Sequence, residues 1–164
     1  MKTSDNGINM LKHWEGCVKK NDMHIVYDDK TGRPINLNAP LPRGATIGYG
    51  HLLKEGEDFR QGITEAQAVE LLRADIAVAE RTIQKNVITT LTQNQFDALV
   101  SLVYNIGANN FKNSSVIKYI NNPKYYNSKY PTIKSAWKAW NKYNGCEMIG
   151  LTKRREQEFE MFNS

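Results

Sequence analysis

Apolar residues first recur at helical spacing at Ile8, Leu11 and Trp14. Ser4 and Asp5 precede them as good N-cap types, and Gly16 follows where a left-handed residue can stop a helix, so the pattern predicts a short helix with Glu15 in its last turn. From Asn21 to Tyr49 the period shortens. HIVYDD alternates and is rich in β formers, DDKTGRP reads as a turn, and GATIGYG reads as another short strand. Pro34, Pro40 and Pro42 fall in a stretch without periodicity from Arg33 to Arg43, which predicts an exposed loop.

Beyond Gly62 the helical period runs to the end of the chain. Thr64 with Gln67 forms a capping box ahead of TEAQAVELLRADIAVAERTIQKN, in which Ala68, Leu71, Leu72, Ile76 and Ala79 make an apolar stripe. A second box, Thr92 with Gln95, opens TQNQFDALVSLVYNIG, where Phe96, Leu99, Val100 and Val103 leave little polar face and predict a central, buried helix. Shorter helices are expected around 114–120, 132–143 and 152–162, separated by Asn122/Pro123 and Asn144/Gly145. The sum is an α+β fold: a small antiparallel sheet near the start of a mostly helical, single-domain chain. It divides into a β-containing lobe over about 16–62, a connecting helix over 64–85, and a helical lobe of 92–164 with 1–15. A cleft between lobes of this kind is a common substrate site.

A net charge of +5 favours a polyanionic partner: nucleic acid, an anionic membrane face or a cell wall. Its densest runs, Lys19/Lys20 and Lys153/Arg154/Arg155, read as solvated faces. Cys17 and Cys146 belong to no C-x-x-C or histidine-spaced pattern, so no metal site is expected and two ordinary thiols are. The polar opening, broken by Asp5, Asn6 and Gly7, does not read as a signal peptide, and no stretch is apolar for long enough to span a bilayer.

Candidate chemistry centres on carboxylates. Glu15 sits where the helix dipole disfavours an ionised side chain, a position suited to a proton donor. Alternation places Tyr27 and Asp29 on one face of HIVYDD and Asp28 on the other, yet both aspartates also suit the start of a turn. GATIGYG lacks the lysine and following helix of a phosphate-binding loop. Its glycines suit a tight hairpin.

The runs WEG at Trp14, YDD at Tyr27, TIGYGHLL at Thr46, TEAQAVELL at Thr64, LTQNQFDALVSLVYNIG at Leu91, FKNSS at Phe111, Trp140-Asn141 and GLTKRR at Gly150 resemble, in order and over nearly the whole chain, the T-even phage lysozyme family. The resemblance implies a lysozyme-like fold and hydrolysis of the bond between N-acetylmuramic acid and N-acetylglucosamine. Glu15 would be the general acid, Asp29 the second carboxylate and Thr46 the residue that holds the attacking water. Counted literally from Glu15, the family spacing lands on His24 and Lys30, so the register is taken from Tyr-x-Asp and TIGYGH, with extra residues ahead of Asp29 and Thr46. Asp28 and Asp22 remain rivals to Asp29. The resemblance further implies Leu52, Tyr104 and Ser114 as saccharide contacts and a structural pair between His51 and Asp75. It implies no cofactor and no metal. Its partners would be peptidoglycan glycan strands, with no nucleic acid and no stable membrane insertion, and the protein would be a monomer. Made in the bacterial cytoplasm without a signal peptide, it would reach the wall by release or secretion. A lytic transglycosylase and a non-catalytic basic wall-binding module are the competing readings.

Overall fold

The computed structural model describes residues 1–38 and 40–164. Residue 39, inside the expected proline-bearing loop, lies outside the described residues. The chain forms two compact units, Ile8–Asp75 and a second assembled from Met1–Gly7 with Ile76–Ser164. Residues 8–15 thus group with the β-bearing stretch and only the first seven with the helices.

Helix α1 (Asp5–Glu15) begins and ends as its sequence predicts. The Ser4 hydroxyl accepts the Gly7 N–H at 3.3 Å, and Gly16, at φ +65°, returns its N–H to Lys12 O at 3.2 Å. In the Ile8–Asp75 unit, β1 (Lys19–Lys20) and β2 (Met23–His24) form a hairpin whose two turn residues, Asn21 and Asp22, are both left-handed, as the twist of a two-residue turn requires. The alternating HIVYDD run is not one strand. His24 exchanges backbone hydrogen bonds with Ile63 at 2.9 and 3.0 Å, and the chain then changes partners to enter a second sheet. That sheet, β3 (Tyr27–Asp28), β4 (Ala45–Ile47) and β5 (His51–Leu52), is antiparallel with β4 central. Tyr27 stands opposite Thr46, and Thr46 opposite Leu52, so the three share one face. The crossing at Ile63 needs Gly62: its φ is +78°, and a Cβ there would stand 2.8 Å from His24 O. Helix α2 (Glu65–Asp75) starts on the expected Thr64–Gln67 box and buries Ala68 and Leu72.

The helix expected through 64–85 is two elements, α2 and α3 (Ala77–Asn86), although Ile76 between them keeps helical angles. In the other unit α4 (Gln93–Ile106) is the core, opened by the Thr92–Gln95 box and buried at every position from Phe96 to Val103. After it come α5 (Ala108–Asn113), α6 (Ser115–Asn121), α7 (Ile133–Lys138), β6 (Lys142–Tyr143), β7 (Cys146–Glu147) and α8 (Ile149–Phe162). Helix α5 and the β6–β7 hairpin were not expected. The helix predicted over 132–143 ends at Lys138, and the one predicted from 152 begins at Ile149. Asn144 and Gly145, expected only to separate helices, are both left-handed and make the two-residue turn of the hairpin.

A second correction concerns Lys153/Arg154/Arg155. Arg154 and Arg155 are not solvated; they are 3% and 0% exposed and converge on Glu158, itself fully buried. The Glu158 carboxylate accepts Arg155 Nη2 at 2.7 Å, Arg154 Nε at 3.1 Å, Ser101 Oγ at 2.7 Å and Trp137 Nε1 at 3.1 Å. Two carboxylates likewise hold the N-terminal residues to this unit. Glu80 accepts Lys2 Nζ and the Thr3 N–H and hydroxyl, while Asp97 accepts the N–H and hydroxyl of Ser4. Both cysteines are free and exposed. Among the described residues no helix is long and apolar enough to cross a membrane.

Candidate active site

Glu15, half-buried in the last turn of α1, has its Oε2 3.7 Å from the place a Cβ on Gly50 would occupy. Gly50 precedes β5 at φ +86°, so a side chain there would be strained and would crowd the carboxylate; glycine leaves that approach open. The neighbouring phenol of Tyr27, 7% exposed, senses two carboxylates. Burial, and then the negative charge of Asp29, push its ionisation up; the Gly50 backbone amide acts the other way, and Cys17 and Glu15 add to the rise. Glu15 thus lies beside Gly50, and the Tyr27 phenol, which the Gly50 amide reaches, feels the charges of both Asp29 and Glu15.

The three aspartates that sequence offered as partners to Glu15 differ in what they do. Asp22 is a hairpin turn residue at φ +62°. The Asp28 carboxylate is occupied by the next turn, accepting Lys30 N–H at 2.8 Å and Thr31 N–H at 3.1 Å. Asp29, exposed, follows β3, and among the described residues the turn's side-chain hydrogen bonds go to Asp28 and not to it. Thr46 is 1% exposed at the centre of β4, cross-strand from Tyr27, and its hydroxyl donates to Gly44 O at 3.0 Å. Leu52, on the same face, is 57% exposed, an outward apolar surface next to the site.

His51 is buried with both ring nitrogens occupied, Nδ1 by Asp75 at 2.8 Å and Nε2 by Glu57 at 2.9 Å. The Glu57 contact had no signal in the sequence beyond a second acid near the histidine. Glu65 was missed altogether. Lys12, Lys19, Tyr49 and His24 all reach its carboxylate within 2.9 Å. Burial opposes its ionisation, but the four hydrogen bonds outweigh it and hold the group far below the usual carboxylate range. Such a hub ties α1, the β1–β2 hairpin and α2 together rather than doing chemistry.

The other two candidates belong to the helical unit. Tyr104 is half-buried on α4. Ser114 is the N-cap of α6, accepting Ile117 N–H at 3.4 Å and donating to Phe111 O at 2.7 Å. Among the described residues no group of His, Cys, Asp and Glu is arranged to hold a metal ion.

Comparison with known proteins gives four matches. The profile of the phage lysozyme family matches residues 12–158. The endolysin of Bacillus phage PZA is 36% identical over the whole chain, which spans 56% of that relative's length. Among solved structures, a mutant of P22 lysozyme aligns at 31% identity with a TM-score of 0.74, covering 100% of this chain and 99% of the other. The muramidase domain of SpmX from Asticaccaulis excentricus aligns at 29% identity and the same TM-score, covering 99% and 98%.

Proposed function

Because the chain belongs to the phage lysozyme family and shares its fold, we propose that it is a muramidase, hydrolysing the β-1,4 bond between N-acetylmuramic acid and N-acetylglucosamine in peptidoglycan. The observation that supports the reading is the Glu15 carboxylate beside Gly50, with the Tyr27 phenol subject to the charges of both Glu15 and Asp29. Glu15 donates its proton to the bridging oxygen as the glycosidic C–O bond breaks. A water attacks the anomeric carbon from the opposite face and gives its proton to Asp29, with Thr46 helping to hold that water. The product is a reducing sugar of inverted configuration, and solvent restores the two carboxyl groups to their starting protonation. Leu52, Tyr104 and Ser114 are the saccharide contacts of this reading, and the Tyr104 ring suits the apolar face of a pyranose. The enzyme needs no cofactor, works as a monomer, and meets its substrate at the wall after release or secretion.

Mass spectrometry of peptidoglycan digested by the protein and by Glu15→Gln tests this. Reducing N-acetylmuramic acid ends from the first and none from the second are expected. Ends carrying a 1,6-anhydro ring would replace hydrolysis with lytic transglycosylation, and undiminished cleavage by Glu15→Gln would remove the mechanism.

A further inference from the structure

Between Asp97 and Glu147 the chain has no aspartate, glutamate or arginine, yet it carries seven lysines, from Lys112 to Lys142. That stretch holds more positive charge than the net +5 of the whole chain. Lys138 is taken by Glu156 at 2.8 Å, and Lys134 also lies near that acid. Lys112, Lys118, Lys124 and Lys129 have no carboxylate partner among the described residues, and all four fall on α5, α6 or the loop over 122–130. A cavity of about 400 Å³ opens here, lined by Lys112, Lys118, Tyr125 and the amides of Asn86, Asn121 and Asn122.

The loop has no regular structure but is held firmly. Tyr119 Oη donates to Tyr130 O at 2.6 Å, and Asn127 Oδ1 accepts the N–H groups of Lys129 and Tyr130 at 2.9 and 3.2 Å. Asn127 Nδ2 reaches Ser115 Oγ and Tyr125 Oη, each at 3.2 Å, and Asn122 Oδ1 accepts the Lys124 N–H at 3.0 Å. Lys118 Nζ stands 5.9 Å from the Tyr125 ring centre and Lys129 Nζ 5.3 Å from that of Tyr130. The aromatic surfaces are thus set before a ligand arrives, with cations drawn over two of them, which lowers the ordering cost of binding. Tyr126 on the same loop is 70% exposed.

Two unopposed ammonium groups at the cavity, Lys112 and Lys118, with two more on the adjoining loop, Lys124 and Lys129, suit a ligand with repeated anionic groups rather than a single carboxylate. Lysine serves phosphate as a point charge. The Asn122 amide N–H and the open Tyr126 ring suit hydroxyls and the C–H faces of a polyol or sugar, while the absence of arginine removes the usual reader of nucleic-acid bases. We propose that this face binds a phosphodiester-linked polyol polymer of the cell wall, a second attachment apart from the carboxylate site. The choice of a wall polymer rests on the muramidase reading; the cationic face does not.

Binding is measured in the Glu15→Gln background with poly(glycerol phosphate) as probe, so that affinity is read without cleavage. Lys112→Glu, Lys118→Glu, Lys124→Glu and Lys129→Glu together are expected to weaken binding at least about tenfold, and the same four changes in the active enzyme to leave hydrolysis of polymer-free peptidoglycan unchanged. The same charge change at the exposed Lys20, Lys30, Lys54 and Lys153 should alter affinity less than about twofold. Four contacts, at roughly 0.7 released counterions each, predict about a 50-fold loss for the unaltered face between about 50 and 200 mM salt. Equal losses in the two charge variants would reduce the effect to net charge and overturn the site, and equally tight binding of poly(U) would overturn the polymer assignment. Failure of the muramidase reading would show separately, in the product analysis of the active enzyme.

Discussion

Replacing Glu158 with glutamine removes the negative charge shared by Arg154 and Arg155 while keeping the size of the side chain. All three groups are at most 3% exposed, so water cannot take over the role of the carboxylate. Its four hydrogen bonds come from two guanidiniums, a hydroxyl and an indole N–H, all donors. A neutral amide presents one oxygen to them and turns its own N–H groups against the rest. Breaking a buried ion pair from one side costs about 3 to 5 kcal/mol. At about 2.1 cal/mol/K per residue, a chain of 164 residues unfolds with roughly 340 cal/mol/K, so the expected fall in the melting midpoint is about 9 to 15 °C. The assay is thermal unfolding followed by circular dichroism, with urea unfolding at 25 °C for the free energy. Lys138→Ala is the control. Its pair with Glu156 is just as short, at 2.8 Å, but both side chains are over a third exposed, and the midpoint should hardly move. A Glu158→Gln midpoint within about 3 °C of the parent would refute the claim that burial, and not bond length, sets the worth of these pairs.

Other expectations follow from the same contacts. Burial works against ionisation of Glu80, but hydrogen bonds from Lys2, the Thr3 N–H and the Thr3 hydroxyl, with the charge of Lys2, hold it below its ordinary value. Its stabilisation is therefore complete above the unfolded value of about 4.3 and is lost as pH falls through the folded one. Urea unfolding should show Glu80→Gln less stable than the parent at pH 7, with the gap closing below about pH 4. Asp28→Ala, which strips a turn of its acceptor, should cost about 1 kcal/mol and leave wall hydrolysis intact. Asp29→Ala should instead lower kcat at least about 100-fold with an unchanged melting midpoint, and the reverse pattern would exchange their assignments. Gly62→Ala should lose about 1 to 2 kcal/mol to left-handed strain, and more from the close approach to His24 O, read as a lower urea midpoint.

What could be read from the sequence was mostly local. The Thr64–Gln67 and Thr92–Gln95 boxes and the Gly16 stop are decided within four residues, so pattern alone finds them. Two-residue strands leave no period to detect, which is why β6–β7 was missed although Asn144-Gly145 announced its turn. Alternation predicted Tyr27 and Asp29 on one face but could not tell which aspartate the turn would occupy; that depended on the backbone N–H groups of Lys30 and Thr31. The Glu65 hub draws its donors from positions 12, 19, 24 and 49, and no spacing rule links them. Arg154 and Arg155 looked like surface charge because the acid that draws them inward lies one turn on, at Glu158, and the helix that buries them is some fifty residues back.

The helical unit is discontinuous in the chain, and this orders events during synthesis. Ile8–Asp75 leaves the ribosome as an unbroken run, free to fold once complete. Thr3 and Ser4 emerge 77 and 93 residues ahead of Glu80 and Asp97, the side chains that will receive them. At about 5 to 20 residues per second these two residues wait roughly 4 to 19 s for those acceptors. They can take their places only once α3 and the start of α4 have been made, long after the stretch between has had time to fold.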